Sequence, residues 1–195
     1  DEHPRVRLEA IRGLGKLKTV EAASVALISL NLPRDRFLDF ALATTMDELA
    51  DVFMVALDQG QWKPDSPDRA KQLEFALTSI DSRLAASYLS KRLAKESIPA
   101  DGTGPWIELI AQAGGKTELT KLLKQVVQKD FEGSVMVRAI NALATAQRVR
   151  KQKPAGDLNQ IRALLELKDP AVKLAAMRLI GVWQMKKCIS LLAEL

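Results

Sequence analysis

Histidine and cysteine, the residues most often used in nucleophilic catalysis and zinc binding, are nearly absent from this chain. The sequence contains one histidine, His3, and one cysteine, Cys188. A Cys-His nucleophile needs a cysteine paired with a histidine, and zinc sites need several such ligands. A single cysteine also cannot form a disulfide within the chain. We expect His3 to lie at the surface where a helix begins, and Cys188 to be a small buried hydrophobe.

Four acidic residues, Asp39, Asp47, Glu48 and Asp51, are the remaining candidates for acid–base chemistry. Paired carboxylates can exchange protons with a substrate or bind a divalent cation. A calcium loop needs an alternation of Asp, Asn and Gly that is absent here. The spacing also suits a solvated face near the start of a helix. We therefore predict no catalytic residue, no cofactor-binding residue and no metal ligand, and we expect a chain that is not an enzyme.

Basic residues are concentrated in the C-terminal part of the sequence. Residues 1–115 contain 14 basic and 17 acidic residues, whereas residues 116–195 contain 15 and 7. The densest basic run is formed by Arg148, Arg150, Lys151 and Lys153. It could contact phosphates, or it could consist of cations at a helix C-terminus, where they are favoured. No aromatic residue interrupts the run, so base stacking is not supported.

Tryptophan could supply a second kind of contact with a partner. Trp62 has the polar neighbours Gln61 and Lys63, and an exposed tryptophan in such a loop would be a binding hot spot. We expect Trp106 and Trp183 to lie in the core. The candidate partner-binding residues are therefore Trp62 and the basic run Arg148, Arg150, Lys151 and Lys153.

The elements that position these residues are predicted to be helices. The composition, with 47% hydrophobic and 27% charged residues, is that of a soluble globular protein. Apolar residues recur every three or four positions, which indicates amphipathic helices. One such stripe is formed by Leu119, Leu122, Leu123, Val126 and Val127, and another by Leu158, Ile161, Leu164 and Leu165. Glycines and prolines divide the chain into segments of single-helix length, and no apolar run reaches the roughly 18 residues of a membrane span.

One pattern occurs near both ends of the chain, starting at Pro4 and at Pro170. Each proline is followed by valine, a basic residue, alanine, an aliphatic residue and glycine at matching positions. These residues are Val6, Arg7, Ala10, Leu14 and Gly15 in one copy, and Val172, Lys173, Ala176, Ile180 and Gly181 in the other. A third copy begins at Val135. Proline costs nothing in the first turn of a helix, and a small alanine lets a neighbouring helix approach closely. Stacked helix pairs of this kind share a continuous core.

This repeated pattern resembles the HEAT repeat. The resemblance implies an all-α fold, a right-handed α-solenoid of about five to six HEAT-like helix pairs. We expect one HEAT-like repeat domain over residues 1–195. The C-terminal segment around Cys188 is apolar, which predicts that the sequence is a fragment of a longer multidomain protein.

A more specific resemblance is carried by residues 3–10, 21–23 and 37–42. They are similar to the HEAT segment of large secreted bacterial proteins that have a sorbosone-dehydrogenase-like propeller and a c-type haem domain. That resemblance implies a scaffold joining domains of a membrane-bound or secreted dehydrogenase or haem-binding protein, in the periplasm or outside the cell. The sequence contains no Cys-x-x-Cys-His motif, so no haem ligand is implied here.

We therefore expect a non-catalytic scaffold or protein-interaction module. Its partner would be another protein or neighbouring domains of the same chain, and it would need no cofactor and no membrane insertion. The alternative is a nucleic-acid-binding protein that resembles HEAT-like DNA glycosylases and uses the basic C-terminal half. A lyase of the HEAT-like bilin-attachment type has no support beyond the repeat itself.

Overall fold

The computed structural model describes residues 3–188, and every regular element in that range is helical. The predicted all-α class is confirmed. Within residues 3–188 the ten α-helices are α1 (Pro4–Leu17), α2 (Val20–Ile28), α3 (Arg36–Glu48), α4 (Ala50–Asp58), α5 (Pro67–Ser79), α6 (Ser82–Lys95), α7 (Trp106–Ala113), α8 (Lys116–Gln128), α9 (Gly133–Arg150) and α10 (Pro170–Val182). Three 3₁₀ helices cover Ser29–Asn31, Leu158–Glu166 and Lys186–Cys188.

Proline stands in the first turn of α1, α5 and α10, as predicted for Pro4 and Pro170. The residue before each proline accepts hydrogen bonds from the first backbone amides of the helix. His3 Nδ1 accepts from the Arg5 amide at 3.3 Å, and the Asp169 carboxylate accepts from the amides of Ala171 and Val172. These caps satisfy donors that have no partner inside the helix, so they define where each helix begins.

The chain forms two compact units, one up to Tyr88 and one from Leu89 onward, with the boundary inside α6. In the first unit α1 packs on α3 and α3 packs on α5, while α2 packs on α4. The helices thus form two layers that enclose a core. That core includes Ala23, Leu27, Leu42, Met46, Phe53 and Leu77. The hydroxyl of Thr45 also donates to the Ile11 carbonyl at 3.1 Å, which ties α3 to α1.

The second unit repeats this layered packing. Helix α9 packs between α7 and α10, while α8 packs against the 3₁₀ helix Leu158–Glu166. The predicted stripe of Leu119, Leu122, Leu123 and Val126 is buried, with Val127 half-buried. The stripe that begins at Leu158 lies on the 3₁₀ helix, and its members Leu158, Ile161 and Leu164 are three residues apart. That spacing aligns them because a 3₁₀ helix has three residues per turn.

The copies of the repeat pattern differ in burial. Val172 and Ala176 in α10 are 3% and 0% exposed, whereas Val6 in α1 is 49% exposed and Ala10 is also exposed. In α1 the buried residues are Ile11 and Gly15, which belong to the face that packs on α3. The pattern therefore identifies both helices correctly, but it does not predict which of their residues form the core.

Candidate functional site

The residues with the most reactive side chains do not come together in a site. His3 caps α1, and Cys188 is buried, both as predicted. Asp39 pairs with Arg34, while Asp47 and Asp51 are exposed. Within residues 3–188 no three His, Cys, Asp or Glu side chains lie close enough together to hold a metal ion.

Glu48, at the end of α3, forms an ion pair with Lys16 of α1. Lys16 Nζ lies 3.0 Å from Glu48 Oε2, and this hydrogen bond and charge lower the pKa of Glu48. A general acid at neutral pH needs the opposite change, a raised pKa. The lowered pKa favours a role for Glu48 as an ionised partner of Lys16.

Members of the basic run form hydrogen bonds to backbone carbonyls of the fold. Arg150 Nε donates to the Ala111 carbonyl at 2.9 Å, and its Nη2 donates to the carbonyls of Ile110 and Gly114 at 3.1 and 2.7 Å. These carbonyls lie at the C-terminus of α7, where backbone acceptors have no partners within the helix. Burial among these groups lowers the pKa of Arg150.

The other members of the run differ in exposure. Lys153 Nζ donates to the Trp183 carbonyl at 2.9 Å, which lies directly after α10. Lys151 is exposed in the left-handed conformation that ends α9, with its Nζ donating to the Arg148 carbonyl, while the Arg148 side chain is exposed. The sequence places four cations together, but two of them direct their donors to the ends of neighbouring helices. The run is therefore not one continuous exposed patch.

Trp62 is buried, so the interpretation as an exposed hot spot is wrong. Its side chain is 2% exposed, and its ring meets the Phe53 ring edge-on at a centroid distance of 5.1 Å. The Arg69 guanidinium lies 5.2 Å from the Trp62 ring centroid. The polar neighbours Gln61 and Lys63 suggested an exposed loop, but the indole packs against Phe53 inside α4. Trp106 and Trp183 are buried as predicted.

An exposed groove between α1 and α3 is the most distinctive surface of the first unit. Phe37 and Phe40 in α3 are 58% and 75% exposed, and both line the groove. Leu8 of α1 contributes to the same surface, where two adjoining hollows have volumes of about 410 and 380 Å³. An exposed phenylalanine is unremarkable alone, but adjacent aromatic side chains lining a concave surface are typical of binding sites. We call this surface the α1–α3 groove.

Basic side chains of α1 form one wall of the α1–α3 groove. Arg5, Arg12 and Lys16 line it, and the opposite wall ends at Glu48. Arg12 pairs with Glu9 at 3.2 Å, while Lys16 pairs with Glu48. The side chains of Arg12, Glu9 and Lys16 are largely exposed and that of Glu48 is 34% exposed, so solvent weakens both ion pairs. The groove thus combines an apolar floor with cations that can exchange partners.

The sequence does contain a pattern that indicates this groove, although its residues are not chemically reactive. Helix α3 buries Leu38, Ala41, Leu42 and Met46, which already form a complete apolar face. Phe37 and Phe40 are additional apolar residues outside that face. Since a surface helix needs only one apolar stripe for the core, extra aromatic residues three positions apart indicate a second contact surface.

None of the described helices has both the length and the apolar character needed to cross a bilayer. Comparison with protein-family models gives no match, and comparisons with curated proteins and with solved structures give none either.

Proposed function

We propose that this chain is a non-catalytic protein-interaction module that holds its partner in the α1–α3 groove. The observation that carries the proposal is the exposure of Phe37 and Phe40 beside Leu8 in a concave surface. Burial of one phenylalanine side chain contributes about 1.5–3 kcal/mol. Two such side chains in a single groove can therefore anchor a protein partner.

We propose further that the helices form a right-handed α-solenoid of about five to six HEAT-like pairs. Support comes from the packing of α1 on α3 and α3 on α5, and of α9 between α7 and α10. In a solenoid, each helix packs on the equivalent helix of the next repeat, which creates an extended binding surface. The buried alanines Ala139 and Ala176 occupy matching positions of two repeat copies.

The partner is another protein or a neighbouring domain of the same polypeptide. The resemblance of residues 3–10, 21–23 and 37–42 to the HEAT segment of secreted bacterial proteins supports the second source. In that case the module would join domains of a dehydrogenase or haem-binding protein in the periplasm or outside the cell. The intact mass and visible spectrum of the native protein distinguish the two sources: a much larger mass with a haem band supports the neighbouring domain.

Nucleic-acid binding is the alternative proposal, and the contacts of the basic run count against it. Phosphate binding needs cations that can leave their existing contacts and reach the backbone of the nucleic acid. Arg150 has three hydrogen bonds to carbonyls, and Lys153 has one. The geometry therefore favours a protein partner.

The proposal is tested by isolating tagged protein from its native cells and measuring the proteins that accompany it. We expect the double variant Phe37→Ser/Phe40→Ser to lose a discrete partner that the unmodified chain retains. The matched control is Val25→Ser/Ile28→Ser, which removes two exposed apolar side chains of α2. Equal loss in both variants, or no change in either, would contradict a role for the groove. A partner released by nuclease would support the alternative.

A further inference from the structure

We infer that the α1–α3 groove binds an acidic amphipathic helix of a protein partner. This inference rests on the proposed function, and it specifies the chemistry of the partner. It follows from the shape of the groove and from the charge along α1.

The shape of the groove suits one short helix. One wall carries Arg5, Leu8, Arg12 and Lys16 of α1, and the other carries Phe37, Phe40, Thr44 and Glu48 of α3. On both walls these residues recur at steps of three or four, so each wall is a single face of a helix. The span from Phe37 to Glu48 is about 17 Å at 1.5 Å per residue. Three turns of an amphipathic helix cover this length and present apolar residues at the same steps.

The apolar residues of the groove define what the inner face of that helix must be. Phe37 and Phe40 project from α3 with Leu8 opposite and Ala41 beneath them, and Ala41 is only 6% exposed. Leucine-like side chains of a partner could bury both aromatic rings in this space. Such burial excludes water from the groove and strengthens the charge contacts at its edge.

The charge of α1 defines the outer face of the partner. Residues 4–18 contain five basic residues and one acidic residue. Three of those cations, Arg5, Arg12 and Lys16, border the groove, together with two carboxylates, Asp35 and Glu48. The Asp35 carboxylate already accepts hydrogen bonds from the backbone amides at the start of α3. Arg12 and Lys16 pair with the solvent-accessible carboxylates of Glu9 and Glu48, and carboxylates of an incoming helix can compete with these or add to them. Complementary charge of this kind selects one partner over others and accelerates its association.

A protein helix fits these observations better than a nucleic acid. Single-stranded nucleic acid can stack its bases on exposed aromatic rings and place its phosphates near cations. Here, however, Phe37 and Phe40 lie in a groove bounded by one face of α1 and one face of α3, and its length matches about three turns of a protein helix. Nucleic-acid binding is therefore an outcome of the test.

The test uses the full chain and three fluorescent probes in an anisotropy titration. The first probe is an 18-residue peptide with leucines at helical spacing and glutamates along both flanks. The second peptide has lysine in place of every glutamate, and the third probe is a 12-nucleotide single-stranded DNA. We expect the glutamate peptide to bind at least tenfold more tightly than the lysine peptide, with an advantage that declines as salt is added.

Charge-reversal variants locate the effect in the groove. In Arg5→Glu/Arg12→Glu we expect binding of the glutamate peptide to weaken about tenfold and binding of the lysine peptide to strengthen. The control Lys116→Glu/Lys168→Glu makes the same change in net charge with two exposed lysines of the second unit, and it should leave both affinities nearly unchanged. Circular dichroism confirms that each variant is folded. The comparison of peptides on the unmodified chain remains decisive even if a variant does not fold.

The outcomes separate this inference from the proposed function. Equal binding of both peptides, or equal effects of the two charge-reversal variants, would overturn the acidic preference, although a protein-binding groove would remain. Binding of neither peptide would overturn the inference. The proposed function would then still be decided by the isolation of tagged protein from native cells. Binding of the DNA alone would overturn both.

Discussion

Among single residues, the recurring stabilising contact is a lysine or arginine side chain that donates a hydrogen bond to a carbonyl at the C-terminus of a neighbouring helix. Arg150 donates to carbonyls at the end of α7, and Lys153 to the carbonyl that follows α10. Lys18 donates to the Glu48 carbonyl at the end of α3, and Lys121 to the Leu93 carbonyl in the last turn of α6. A helix C-terminus has unpaired carbonyls and a partial negative charge, so cations stabilise it. Part of the basic excess in residues 116–195 therefore serves the fold.

The contacts of Arg150 predict a clear difference between arginine and lysine at this position. We expect Arg150→Lys to lower the free energy of unfolding by about 1–3 kcal/mol, because an ammonium cannot reproduce the planar fork and leaves carbonyls unpaired. Urea denaturation measures the change. The matched control is the exposed Arg148, where Arg148→Lys should alter stability by less than about 0.5 kcal/mol. Equal effects of the two variants would contradict the account.

Some helices end at a lysine whose backbone is in the left-handed conformation, and we expect glycine to be more stable at such a position. Lys129 ends α8 with φ at 62°, a conformation that favours glycine. We expect Lys129→Gly to raise the free energy of unfolding by about 0.5–1 kcal/mol, since the strain of the left-handed side chain is removed. The same change at the exposed Lys124 inside α8 should instead lower stability by about 1 kcal/mol. Urea denaturation measures the free energy of unfolding of both variants. A loss of stability in Lys129→Gly would contradict the expected relief of strain.

At the scale of the element, periodicity predicted the helices well and their burial less well. The α8 stripe is buried as the spacing of Leu119, Leu122 and Leu123 indicated, and Asp169-Pro170 correctly marked the start of α10. The segment from Leu158 forms a 3₁₀ helix. A three-residue spacing of apolar residues is compatible with both helix types, so the spacing alone did not distinguish between them. Val6 is half exposed, since the packed face of α1 is the one that contains Ile11. Burial depends on tertiary packing, which the local pattern does not contain.

Ala176 and Ala10 occupy matching positions of the repeat pattern, but we expect them to respond differently to a larger side chain. Ala176 in α10 is 0% exposed, so Ala176→Leu should lower the free energy of unfolding by roughly 1–3 kcal/mol through overpacking. Ala10 in α1 is exposed, so Ala10→Leu should have an effect within about 0.5 kcal/mol. Thermal or urea denaturation measures both. A neutral Ala176→Leu would show that this position is not a tight helix contact.

At the scale of the whole molecule, the described chain combines two layered helical units, and the first unit contains the exposed groove for which we propose a binding role. The all-α class followed from the sequence because helical periodicity is a local property. The candidate site did not follow from it. The partners of Arg150 lie 36–40 residues away in the chain, Trp62 is buried by residues of other elements, and the α1–α3 groove exists only after α1 packs beside α3. Contacts between distant residues thus determine which of the candidate residues remain available to a partner.

The most direct test of a protein-binding groove is photocrosslinking from position 40 in native cells. Phe40 is replaced by a photoreactive phenylalanine analogue, and Val25 is replaced by the same analogue as the control. We expect a discrete adduct at position 40 that resists nuclease and is digested by protease, with no such adduct at position 25. An adduct at position 40 that only nuclease removes, or the same adducts at both positions, would contradict the account.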